Sequence, residues 1–78
     1  MKWIKHKVEI DKIDKFVADY IVSIKKAAEN LEHFYCVFQY KDDPIIHMTS
    51  IFDFVDKYSI IKSIGTIEKF YSYQVLNS

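Results

Sequence analysis

Seventy-eight residues, half of them hydrophobic and 17% aromatic, fit one domain of the size that hides only about 60–65% of its unfolded surface, and leave little chain for a catalytic loop. Eleven lysines offset eleven acids, which removes the long-range field that non-specific binding to nucleic acid or an anionic membrane relies on. No arginine is present, so the planar fork that grips phosphate bidentately is missing.

In residues 2–10, Ile4, Val8 and Ile10 alternate with Trp3, Lys5, Lys7 and Glu9, the period of two that marks a strand with one buried side, and His6 falls on that side. Asp11 then stands where a helix N-cap belongs. Ile13, Phe16, Val17, Tyr20, Ile21, Ile24, Ala28 and Leu31 recur at three and four and predict a helix of about five turns. Lys12, Lys15, Asp19, Lys25, Lys26 and Glu29 form its outer face, with Lys25 and Glu29 spaced as a helical ion pair. Residues 34–41 are aromatic and branched, as a strand requires, and Lys41-Asp42-Asp43-Pro44 supplies a turn. Residues 45–48 return as a short strand. Ser50 and Asp53 make a capping-box-like start for a second helix carrying Ile51, Phe54, Val55, Tyr58, Ile61 and Ile64. Gly65, the only glycine, reads as its left-handed terminator. Residues 66–76 alternate again, with Ile67, Tyr71, Tyr73 and Val75 set against Glu68, Phe70, Ser72 and Gln74.

The order β-α-β-β-α-β predicts a single α+β domain over residues 1–78, a two-layer sandwich of an antiparallel sheet with both helices on one face. It resembles the ferredoxin-like superfold, whose strands interleave as 4-1-3-2 and would place residues 45–48 centrally. The shortness of that segment leaves an edge position as the alternative. Such a fold does not by itself imply a function.

Candidate chemistry is sparse. His33 and Cys36 sit three apart on a strand and so point opposite ways, a poor chelate, and no spacing suits three or four converging ligands, so neither metal nor cofactor is expected. Tyr58 and Lys62 match the Tyr-x-x-x-Lys spacing of short-chain dehydrogenases, but a chain with one glycine lacks the dinucleotide turn such an enzyme needs. Cys36 lies between Phe34 and Phe38, where burial raises a thiol's pKa and leaves it inert. Asp42-Asp43 and Asp53/Asp56 are accounted for by turn and helix-start chemistry. The expectation is a protein that is not an enzyme. A lone cysteine fits a reducing compartment. The first ten residues hold Lys2, Lys5, Lys7 and Glu9, leaving no signal-peptide core, and no uncharged stretch is long enough to span a bilayer, so a cytoplasmic location without membrane contact is expected.

The best-founded functional feature is the sheet face away from the helices. If Ile4, Val8, Phe34, Cys36, Phe38, Tyr71 and Tyr73 face inward, alternation puts Trp3, Lys5, Lys7, Tyr35, Val37, Gln39, Phe70 and Ser72 on the open side. Trp3, Lys5, Tyr35, Val37 and Phe70 are then the predicted interface, since aromatic anchors with a polar surround are what interface centres look like. The expected function is a small regulatory or inhibitory module that binds protein, either a second copy as a homodimer or a target. The alternative is a single-stranded nucleic-acid binder, because interleaved lysine and aromatic residues are similar to the open sheet of RNA-recognition modules. Their consensus of a basic residue, glycine and aromatics is nevertheless absent from residues 34–41.

Overall fold

The computed structural model describes residues 2–20 and 32–76. In chain order these form β1 (Lys2–Lys7), a 3-10 turn (Ile10–Lys12), α1 (Ile13–Asp19), β2 (Glu32–Tyr40), β3 (Ile46–Ser50), α2 (Ile51–Asp56), α3 (Tyr58–Ile64) and β4 (Ile67–Leu76). Four antiparallel strands and the helices packed on them make the α+β two-layer arrangement that the order of patterns predicts.

The strand order is β1-β4-β2-β3, not the 4-1-3-2 of the ferredoxin-like superfold. β4 pairs with both β1 and β2, and β3 pairs with β2 at the sheet's edge. Each β-α-β crossover still skips one strand: β1 and β2 run parallel with β4 between them, and β3 and β4 run parallel with β2 between them. Both helical connections consequently cover the same face, where Phe16 of α1 and Phe54 of α2 each meet the Phe70 ring, at 5.4 and 4.9 Å between centroids. The short third strand takes the edge, where fewer ladder bonds are asked of it.

Local chemistry accounts for most element ends. Asp43 accepts the Ile45 amide on its Oδ1 at 2.9 Å, Gln39 Nε2 donates to the Asp43 carbonyl at 2.9 Å, and Asp42 takes the left-handed conformation (φ 62°) that aspartate tolerates. Ser50 Oγ accepts the Asp53 amide at 3.2 Å, the expected N-cap. Three expectations about the helices are corrected. Asp11 lies inside the 3-10 turn, and the residue preceding α1, Lys12, makes no side-chain cap. The second helix is also divided at Lys57 (φ −104°, ψ 17°) into α2 and α3, although Ile61 N still donates to the Lys57 carbonyl at 2.9 Å. Gly65 is extended (φ 178°), not left-handed. What the position asks for is room, since a Cβ there would meet the Tyr40 ring at 3.3 Å. The remainder of the predicted first helix, with Ile21, Ile24, Ala28, Leu31 and the Lys25–Glu29 pair, falls outside the described residues.

The core comprises Ile13, Tyr20, Cys36, Phe38, Tyr40, Ile51, Phe54, Ile67 and Phe70. Every strand residue in that set belongs to β2 or β4, the two central strands. Burying each isoleucine or phenylalanine among them is worth about 1.5–3 kcal/mol. Tyr40 reaches across the layer to donate its phenol to the Ile61 carbonyl at 2.7 Å, and burial raises its pKa. At the edge, His47 lies flat on Phe38, with centroids 5.1 Å apart and an interplanar angle of 13°.

One irregularity decides which side chains are functionally available. Gln39 pairs with Lys69 but Tyr40 pairs with Ile67, so Glu68 is an extra residue in β4. Such a bulge shifts the alternation by one. Ile67 and Phe70 therefore both face the helices, and beyond the bulge the core side is held by Phe70 and Ser72.

Candidate interaction surface on the open sheet face

Cross-strand register assigns the open face position by position. Trp3, Lys5 and Lys7 stand opposite Val75, Tyr73 and Tyr71, and these in turn oppose His33, Tyr35 and Val37. Gln39 opposes Lys69, and β3 adds Ile46, Met48 and Ser50 opposite Gln39, Val37 and Tyr35. Of the five predicted interface residues, Trp3, Lys5, Tyr35 and Val37 thus share this face. Phe70 does not. It is 1% exposed and belongs to the core, because the bulge at Glu68 turns it and Ser72 inward and turns Tyr71 and Tyr73 outward. Strict alternation misses the exchange, since a tyrosine suits either side of a sheet, and the one sign of it in the sequence is the three-residue spacing of Ile67 and Phe70.

The face has two chemically different halves. Over β1, β4 and β2 the rings of Trp3, Tyr35 and Tyr73 form a cluster: Trp3 to Tyr35 is 5.9 Å between centroids at 27°, and Trp3 to Tyr73 is 6.0 Å and edge-on. Val75 is buried on this side, so the cluster makes a small apolar layer of its own. Lys5 places its Nζ 4.1 Å above the Tyr71 ring centroid, where the ring's negative face attracts it. Over β2 and β3 the surface is aliphatic, with Met48 57% and Ile46 67% exposed beside Val37. Trp3 itself is 51% exposed. Among the described residues, no helix lies on this face and no Asp or Glu occupies a paired position on it. Glu9 and Glu68 line a cleft at the end of β1 and the start of β4 together with Lys7 and Lys69.

A second polar cluster lies on the helix layer. Asp14 Oδ1 accepts both the Tyr58 phenol and the Lys62 ammonium, the latter at 3.1 Å. The hydrogen bond from Tyr58, then that from Lys62 and its charge, hold the Asp14 carboxyl below its usual range. Burial and the Asp14 contact push the Tyr58 phenol up. A phenol so raised stays protonated at neutral pH, and the trio ties α1 to α3 across a shallow cleft closed by Gly65 and Thr66. The helical spacing of Tyr58 and Lys62 is thus used to hold one carboxylate.

Cys36 is fully buried, and desolvation pushes its thiol up to about 12, as its aromatic neighbours imply. Among the described residues no three His, Cys, Asp or Glu side chains are grouped to hold a metal ion, and no helix is long and apolar enough to cross a membrane. No family model, curated protein or solved structure matches this chain.

Proposed function

We propose that this chain is a small non-catalytic binding module, regulatory or inhibitory in role and cytoplasmic in location, that engages protein through the open face of its sheet. The observation that carries this reading is the coincidence of Trp3, Met48 and Ile46, all more than half exposed, with Tyr35, Tyr71, Tyr73 and Val37 on one uncovered side of the sheet. An apolar patch running across four strands is costly to leave in water, and patches of that kind on small proteins mark contact surfaces. The aliphatic half favours protein over nucleic acid, because Ile46, Met48 and Val37 offer nothing for a base to stack on.

A test is to compare wild type with Trp3→Ala and Met48→Asp, each checked for fold by circular dichroism, in sedimentation and in pull-downs against its own cell extract. The expected result is that assembly or retained partners are lost in both variants. Folded variants that keep the wild-type behaviour would refute the reading. The second reading, single-stranded nucleic acid, draws on Lys5 over Tyr71 and on the absence of acids from the paired positions. It requires oligonucleotide binding at low salt that weakens steeply as salt rises.

A further inference from the structure

We infer that the occupant of the open face is a different protein that brings a carboxylate to Lys5, and not a second copy of this chain. The inference rests on the reading of that face as a contact surface.

Lys5 stems from the edge strand β1 and reaches inward over β4. It stands opposite Tyr73 in register, one pair from Trp3, with its Nζ over Tyr71. It makes no ion pair with any described carboxylate. A partner that seats on the Tyr71 ring face, where this ammonium lies, removes water from it. Burying an ammonium without a counter-charge is strongly unfavourable, and the ring face of Tyr71 only partly offsets it. A stable complex thus needs an anion at that point, set among apolar groups that fill the space over Trp3 and the Val37–Met48 strip.

A second copy does not meet this need. Two-fold pairing presents the same surface on both sides, and that surface has lysines at Lys5, Lys7 and Lys69 with no acid at any paired position. The charge pattern calls instead for a partner whose apolar contact is studded with Asp or Glu.

Trp3 is the chain's only tryptophan and lies in this face, so its emission reports occupancy directly. The probes are an amphipathic peptide of leucine and glutamate, its counterpart with every glutamate replaced by lysine, and oligothymidylate, each titrated into wild type and Lys5→Glu at moderate salt. The expected result is a blue shift of Trp3 with the acidic peptide, at least about tenfold weaker binding of the basic one, and reversal of that ranking in Lys5→Glu. Equal binding of the two peptides overturns the requirement for an acid while leaving the face as a contact surface. So does a wild-type dimer whose Trp3 is already blue-shifted and whose assembly is unchanged by Lys5→Glu. Oligothymidylate binding tighter than the acidic peptide overturns the protein assignment. No spectral response to any probe, in a strictly monomeric protein, overturns both this inference and the reading beneath it.

Discussion

The Trp3 indole stacks against Tyr35 at 5.9 Å although the strands that carry them are not neighbours, because β4 lies between β1 and β2. The ring has to lie across β4 to make that contact, which also brings it edge-on to Tyr73. Tyr35→Ala should therefore red-shift the Trp3 emission and cost about 0.5–1.5 kcal/mol, the usual worth of an aromatic pair. Urea titration followed by fluorescence checks both effects. An emission maximum that does not move would show that the two rings do not meet in solution.

The bulge makes a sharper prediction about two adjacent residues. Phe70 is packed between Phe16 and Phe54, so Phe70→Ala should cost about 3–5 kcal/mol, much of the stability of a domain this small. Tyr71→Ala removes a half-buried ring from the open face, with its Lys5 contact, and should cost well under the Phe70 loss, about 1 kcal/mol. Thermal melts of the two variants decide the matter, and a reversed ranking would restore unbroken alternation along β4.

Those two residues also show what was legible in the sequence. In β1 and β2, whose register is regular over the residues in question, alternation correctly separates Trp3, Lys5, Tyr35 and Val37 from Cys36 and Phe38. In β4, counting from Ile67 carries the wrong parity past Glu68, and three-residue spacing between two apolar positions was the available sign that the strand is not uniform. The Ser50 cap and the Asp43 turn are local chemistry and could be read directly. Strand order could not, since which strand neighbours which is settled by crossover packing across the whole sheet. Gly65 misled for a related reason: its requirement comes from the Tyr40 ring, 25 residues earlier, and not from the helix it ends.

Burial gives Cys36 a distinct alkaline signature. Its folded pKa, pushed up to about 12, exceeds the unfolded thiol value of about 8.5, so the protonated native form is favoured. The stability this contributes is complete below about pH 8.5 and is lost as pH rises toward 12. At pH 8 the native protein should react with a disulfide reagent only as fast as it opens, and the urea-unfolded protein at the rate of a free thiol. Native labelling as fast as unfolded labelling would place Cys36 outside the core.

The acid limb should depend on Asp14. Its pKa is lowered by the Tyr58 hydrogen bond and by Lys62, so the stability it contributes is present above the unfolded value of about 3.9 and is lost as pH falls through the depressed folded value. Asp14→Asn removes the charge that Lys62 pairs with, and Tyr58→Phe removes the phenol that Asp14 accepts. Both variants should melt below wild type at pH 6, and the gap for Asp14→Asn should close once wild-type Asp14 is itself protonated. The contact is largely exposed, so salt should narrow the gap as well. A gap for Asp14→Asn that stays constant from pH 6 down through the acid limb would mean that the carboxylate's charge does not tie α1 to α3.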